Sequence, residues 1–431
     1  MNRDDAVDLD RTDPLAPLRD LFELPEGTIY LDGNSLGALP RTTAGRVAEV
    51  VTQEWGRGLI ESWNTASWIS LPQRVGDKVA RLVGAGQGEV VVADSTSLNV
   101  YKVLASALSI ASVDSPERRV VVSERSNFPT DLYIASSLCR ERGYELVLVD
   151  SPDEISGLLD RTAVLMLTEV NYRTGYLHSM ASVTALAHEH GVLAVWDLCH
   201  SAGAVPVDLV GAEADFAIGC GYKFLNGGPG SPAFLWVNPR HVDRFEQPLS
   251  GWMGHAAPFE MSPGYRPAEG VSRYLSGTPA VIGISALECG VDTVLAAEAY
   301  GGLPALREKS LALTRLFADL VGSRLPGFVI ESPMDDARRG SQLSLSTGSA
   351  ASGSASAGAA YAIVQALIER GVVGDFRAGP ADGTQPDILR FGVTPLYTRY
   401  ADIWDAVDHL VAVMDNDEWR DERFWTRGAV T

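Results

Sequence analysis

The chain has 431 residues, 46% hydrophobic and 21% charged, with 42 Gly and 23 Pro, which excludes a disulfide miniprotein or a bare helical module and allows a large buried core. Against 35 Lys and Arg stand 55 Asp and Glu, a net charge of -20 that repels phosphate backbones and anionic lipid headgroups and argues against nucleic acid as a partner. A small anionic substrate stays open, because a few local arginines override a diffuse field at contact distance.

Residues 1–60 read as an acidic arm punctuated by Pro and Gly, holding a strand-like TIYLDGNSLG before a helix-like RTTAGRVAEVVTQEWGRG. The first 20 residues lack the basic and apolar regions of a signal peptide, and no apolar run reaches membrane-spanning length. From about 75 to 300, strand-like EVVVAD, RRVVVSE, ELVLVD, TAVLMLTEV, LAVWDL, ADFAIGC and SPAFLWV alternate with helical stretches. Alternation of this kind predicts an α/β fold, a mainly parallel seven-stranded sheet with helices on both faces. Beyond 301 come an amphipathic helix in LREKSLALTRLFADLVGSRLPG, a Ser/Gly/Ala stretch STGSAASGSASAGAA read as a loop, a helix AYAIVQALIERG stopped by Gly371, and a last helix DIWDAVDHLVAVM. That pattern predicts a smaller α+β C-terminal domain. The expected division is 1–60 as an arm contributing to the small domain, 61–300 as the large domain and 301–431 as the small one. Cys139, Cys199, Cys220 and Cys289 form no CxxC pair and read as reduced buried thiols, which places the protein in the cytoplasm; no metal site is expected.

The most informative stretch is Gly219–Phe234, GCGYKFLNGGPGSPAF, where one lysine sits among glycines, small residues and aromatics. A buried Lys223 with room for a planar ligand is a Schiff-base candidate; the bland alternative is a surface lysine in a glycine-rich turn. The absence of GK[ST] after GGPGS argues against a nucleotide loop. Asp197 ends the run LAVWD, at the C-terminal end of a strand where open parallel sheets bind ligands, and a carboxylate there can pair with a protonated pyridine nitrogen. His200 follows three residues on and by itself reads as a structural histidine. Thr96 and Ser97 stand ahead of a predicted helix as an anion cup, or more blandly as a helix cap. Phe128 offers a ring for stacking and Asp131 a nearby carboxylate, in what otherwise reads as a Pro turn.

Taken in order, Thr96–Ser97, FPTD at 128–131, DLCHSAGAVP at 197–206, GYKFLNGGPGSPAF, GWMGH at 251–255, SGTP at 276–279 and LRFGVTPLY at 389–397 resemble kynureninase. The likeness runs from LDGNSLG to LYTRY, nearly the whole chain. It implies a PLP-dependent enzyme of the aspartate-aminotransferase fold, fold type I, whose large domain binds pyridoxal 5'-phosphate. By resemblance Lys223 holds the cofactor and shuttles the α-proton. Tyr222 touches the phosphate and serves as an acid/base, Asp197 meets the ring nitrogen with His200 beside it, and Phe128 stacks on the ring with Asp131 near its edge. Thr96 and Ser97 hold the phosphate, and Trp252 and Thr278 reach it from the other subunit of a homodimer. Arg390 binds the substrate α-carboxylate. The implied reaction is hydrolytic Cβ–Cγ cleavage of L-kynurenine to anthranilate and L-alanine, a step of tryptophan catabolism. Trp63, Gly277 and Thr278 match the positions that favour kynurenine over 3-hydroxykynurenine, Trp68 being a second candidate for the first of them. Two competing readings are a cysteine desulfurase, which needs a reactive exposed cysteine, and a cofactor-binding scaffold without activity.

Overall fold

The computed structural model describes residues 2–245, 247–348, 358–380 and 383–428. Two compact units are present: one formed by residues 42–171 and 178–292, the other by 1–41, 172–177 and 293–431.

In the first unit all seven strand-like runs form one sheet: β1 Val90–Ala93, β2 Val120–Glu124, β3 Glu145–Val149, β4 Thr162–Thr168, β5 Leu193–Asp197, β6 Phe216–Gly219 and β7 Ala233–Val237. The order is β1-β7-β6-β5-β4-β2-β3. Strands β2 to β6 are parallel, and β7 runs antiparallel between β1 and β6, joined to β6 by the glycine-rich loop. Strands β1, β2, β4, β6 and β7 are buried along their whole length, which is why they read as unbroken apolar runs. Helix α1 Leu71–Leu82 precedes the sheet, and α2 Thr96–Asp114, α3 Pro129–Arg142 and α4 Met180–Glu189 connect its strands. Helix α2 starts at Ser95, whose backbone is extended and whose hydroxyl accepts the Leu98 N–H. Its Val100, Val103, Leu104, Ala107 and Leu108 then enter the core with Val91, Ile218 and Leu235 of the sheet. In α3 the signals are a first-turn Pro129, an acid in the first turn, arginines in the last and Gly143 at φ +73°.

The second unit holds a four-stranded antiparallel sheet of β8 Val329–Ile330, β9 Gln342–Ser346, β10 Asp375–Arg377 and β11 Ile388–Gly392, in the order β8-β9-β11-β10. Leu313, Phe317 and Val321 of α5 Gly302–Arg324, Ile363 and Leu367 of α6 Ala359–Glu369, and Ile403, Val407 and Leu410 of α7 Tyr400–Asp415 share one core with Leu343, Leu389 and Phe391 of the sheet. Gly371, at φ +84°, follows α6 as expected. Of the Ser/Gly/Ala stretch, 349–357 lie outside the described residues.

The arm departs from its sequence reading in three ways. Residues 3–12 form a helix, started by a box in which the Asn2 side chain accepts the Asp5 N–H at 3.0 Å and the Asp5 carboxylate accepts the Asn2 N–H at 2.7 Å. Asp10 in turn accepts the Tyr400 and Ala401 N–H groups at the start of α7. Second, TIYLDGNSLG gives a strand of only two residues, Ile29–Tyr30, parallel to Val372–Val373. Third, the helix over 41–58 is α-helical only to Glu49 and widens to a π-helix over Val50–Gly58, where the Ser62 hydroxyl donates to the Glu54 carbonyl at 2.6 Å. Residues 42–60 group with the first unit. No described helix is long and apolar enough to cross a membrane.

Candidate active site

The C-terminal ends of β1, β5 and β6 and the starts of α2 and α3 carry the residues singled out from sequence. Asp197 is the last residue of β5, 5% exposed, and its Oδ1 accepts the Cys199 N–H at 2.7 Å. The turn that follows brings the His200 Nε2 to 2.9 Å from the Lys223 Nζ. Lys223 lies four residues past the end of β6, in a loop closed by hydrogen bonds from Asn226 N–H to the Lys223 carbonyl and from Gly227 N–H to the Gly221 carbonyl. The loop needs its glycines for space: a Cβ on Gly221 would stand 2.4 Å from the Pro232 carbonyl oxygen, and one on Gly227 would stand 2.7 Å from that of Gly221. The Lys223 Nζ is 5.7 Å from the ring centres of both Phe128 and Tyr222.

Contrary to the expectation of a buried lysine, Lys223 is half-buried, and Phe128 at the start of α3 is 43% exposed. Part of the Phe128 side chain is therefore in contact with solvent. Asp131, in the first turn of α3, is 2% exposed, and its Oδ2 has no hydrogen-bond partner. Burial pushes its carboxyl well above the ordinary carboxylate range, the facing Asp197 adds to this, and only the Lys223 charge opposes it. Burial likewise raises the Tyr222 hydroxyl, with Cys220, Cys199 and Asp197 adding, so that it stays protonated. Thr96 and Ser97 are the first two residues of α2, where backbone N–H groups lack helical partners; Ser95 is the residue that caps. The Thr96 hydroxyl is 3.8 Å from the Cys199 sulfur.

A second group forms in the same unit. Trp252 packs edge-on against Trp63 at 6.0 Å, and Trp63 against Trp68 at 6.4 Å. Trp68 is committed elsewhere, donating to Glu54 at 2.6 Å, which leaves Trp63 as the ring against Trp252. The Met253 N–H bonds the Ser276 carbonyl, beside which a Cβ on Gly251 would stand at 2.2 Å; Gly277 and Thr278 follow, both exposed.

Arg390 belongs to the second unit. It is 1% exposed on β11, a buried charge. It pairs with Asp375 opposite it on β10, donates to the Ser35 hydroxyl at 2.7 Å and donates to the Tyr172 carbonyl at 2.8 Å. Burial lowers this guanidinium, Asp375 opposing, and burial together with Asp375 pushes the neighbouring Asp32 up to about 7.

Sequence reasoning missed Asp375, which the strand pairing brings to Arg390. It also missed Glu169, directly after β4. This residue is 4% exposed, its carboxyl is pushed up to about 7 by burial, its Oε2 has no partner, and its N–H bonds the Asp197 carbonyl at 2.9 Å. An acid closing the apolar run TAVLMLTE was the available signal, the same one that exposed Asp197. All four cysteines are free and buried. Burial pushes the Cys139 thiol up to about 11, while hydrogen bonding to Cys220, then burial, raises Cys199. At Cys220 burial works upward, but the Cys199 hydrogen bond and the Lys223 charge outweigh it and lower the thiol.

This sheet, with a lysine loop and an acid at the C-terminal ends of neighbouring strands, defines the α/β class of PLP fold type I. It matches the apo cysteine desulfurase of Thermococcus onnurineus NA1 with a TM-score of 0.77 at 17% identity, over 93% of this chain and 98% of that one. C-DES with glycine covalently linked to its PLP cofactor matches with a TM-score of 0.75 at 18% identity, over 92% and 98%. Residues 306–410 match the family model described as the kynureninase C-terminal domain. The kynureninase of Burkholderia pseudomallei (strain 1106a) is 53% identical over 434 residues, covering 100% of this chain and 99% of the relative. The chain is a member of the kynureninase family, and thus an enzyme.

Proposed function

We propose that the protein catalyses the PLP-dependent hydrolysis of the Cβ–Cγ bond of L-kynurenine, giving anthranilate and L-alanine in tryptophan catabolism, with 3-hydroxykynurenine as a poorer substrate. The observation that carries this reading is one cluster holding the Lys223 amine, the carboxyls of Asp197 and Asp131 and the partly exposed Phe128 ring, in a chain 53% identical end to end to a kynureninase.

The residues present fit pyridoxal 5'-phosphate. A primary amine stands beside an aromatic face, a buried Asp131 oxygen lacks a partner, and two hydroxyl residues open a long helix. Lys223 would hold the aldehyde, Asp197 and Asp131 the ring's polar edge, Phe128 its face, and Thr96, Ser97 and Tyr222 the phosphate. When bound, PLP supplies an electron sink for charge developing at the substrate α-carbon. The Lys223 amine, once released, is the group to move the α-proton, and His200 at 2.9 Å can share it. Tyr222, kept protonated by its burial, is the donor for the carbonyl oxygen as water adds. Arg390 is proposed to take the α-carboxylate, and Trp63, Gly277 and Thr278 to shape the aryl end.

A homodimer is proposed as the active unit, with Trp252 and Thr278 acting on the partner's phosphate. Trp55, Leu59 and Ile60, 58%, 61% and 77% exposed, supply apolar surface for a second copy. Sedimentation at the mass of one chain would contradict this. The buried, free cysteines support a cytoplasmic setting. They also speak against a desulfurase, which needs a thiol on an accessible, mobile loop. Lys223→Ala should abolish the visible absorbance of the bound cofactor and turnover together; retained turnover would refute the reading.

A further inference from the structure

Helix α2 carries one lysine in an otherwise uncharged run, VYKVLASAL, and it is buried: the Lys102 side chain is 0% exposed. Its Nζ donates to the Asp94 carboxylate at 2.6 Å and to the Tyr274 carbonyl at 2.6 Å. One turn further along α2 the Ser106 hydroxyl donates to the Lys102 carbonyl at 2.8 Å and accepts from the Tyr274 hydroxyl at 2.9 Å, so Tyr274 is tied at both ends to the same stretch of helix. Side chains in a helix lean toward its N-terminus, which lets an extended lysine reach back the roughly 9 Å of rise that separates residue 102 from residue 96.

The position of Asp94 gives this arrangement a consequence for ligand binding. Asp94 directly follows β1 at φ +50°, an uncommon conformation for a residue with a side chain, and directly precedes Ser95, Thr96 and Ser97 at the start of α2. Its carboxylate is about one quarter exposed. A negative charge next to N–H groups meant for an anion weakens that site unless a cation cancels it. Lys102 is the cation in contact with it.

We propose that Lys102 is a positioning residue for the phosphate end of the cofactor, cancelling the charge of Asp94 beside the Thr96–Ser97 turn and fixing that turn against Tyr274. This rests on the PLP reading given above. Through Tyr274 the same lysine anchors the segment that leads to Ser276, Gly277 and Thr278, and the backbone of Gly251 and Met253 packs against Ser276. One buried ammonium thus joins the phosphate cup to the segment assigned to the substrate.

The test titrates cofactor-free protein with PLP and, separately, with pyridoxal, which lacks the phosphate, following the visible absorbance of the aldehyde bound to Lys223. For Lys102→Met the PLP dissociation constant should rise about 30-fold, the factor that ~2 kcal/mol corresponds to, with pyridoxal changed by about twofold or less. The Asp94→Asn/Lys102→Met double variant, which has no carboxylate left to cancel, should return to within about threefold of wild type for PLP. Equal losses for PLP and pyridoxal would show a general packing role and overturn the proposal, as would unchanged PLP affinity in the single variant. Should the single variant not fold, the double variant carries the test alone, and a loss of about tenfold or more for PLP would overturn it. Wild-type protein that binds no PLP would instead refute the cofactor reading itself, and the proposal with it.

Discussion

Replacing Asp215 by Asn should cost the sheet-bearing unit about 3 kcal/mol while leaving the candidate site intact. Asp215 directly precedes β6 and is 1% exposed. Its carboxylate accepts from the His188 Nε2 at 2.8 Å, the His241 Nε2 at 2.7 Å, the Arg240 Nη2 at 2.5 Å and the Ala194 N–H at 2.7 Å. One carboxylate therefore ties the end of α4, the start of β5 and the segment after β7. An asparagine has one acceptor oxygen and turns its NH2 toward donors, so at least two of these bonds are lost and two buried groups are left without partners. Each such orphan costs about 1–3 kcal/mol, and Arg240, 40% exposed, recovers part of its share from water, which brings the sum to about 3 kcal/mol. For a unit of this size that is a fall of about 6–12 °C in melting temperature. Burial works to raise the Asp215 carboxyl, but these four donors outweigh it and hold the group below its ordinary value of 3.8, so its contribution is fully present above that value and fades as the pH falls through the lower folded-state value. Melting curves of both proteins between pH 3 and 7 check this: the gap should be widest at neutral pH and shrink toward acid. Because Asp215 lies at the opposite end of β6 from Lys223, PLP affinity should not move. A neutral-pH loss of less than about 1 kcal/mol would refute the reasoning.

Glu169 should act in the opposite sense. Its carboxyl is raised from 4.5 to about 7, so the folded state holds a proton that the unfolded chain has released, and stability falls as pH climbs through that window by at most about 3 kcal/mol. Glu169→Gln should flatten the pH dependence of the unfolding free energy between pH 4.5 and 7, and an unchanged slope would contradict the assignment. Arg390→Lys keeps the charge but loses the planar fork, so KM for kynurenine should rise about tenfold or more with kcat little changed. A fall in kcat alone would remove Arg390 from carboxylate binding.

The sheet was legible because its strands are apolar runs separated by turn residues, and runs such as VVVA and AFLWV have no exposed face to blur them. Around Lys223 the chemistry was legible for a related reason: Asp197 and Lys223 are polar residues set into uniformly apolar or glycine-rich text. Partnership was not legible. Lys102 meets Tyr274 across 172 positions, and Asp375 meets Arg390 through a strand pairing, contacts that no local pattern encodes. The N-terminal helix was hidden by its composition, since an acidic segment gains helix only from its cap and from docking on α7. Half-burial of Lys223 was also beyond the sequence, because glycine density marks a tight loop and not how deep its side chains sit.

The reaction proposed for this cluster is cleavage of a carbon–carbon bond in an aryl-ketone amino acid. The most direct measurement incubates PLP-loaded protein with L-kynurenine, following anthranilate by fluorescence and alanine by amino-acid analysis, with 3-hydroxykynurenine in parallel. Anthranilate and alanine should appear in equal amounts, with a higher kcat/KM for kynurenine than for its hydroxylated relative. A protein that shows the absorbance of bound cofactor yet releases no anthranilate would contradict the proposed reaction.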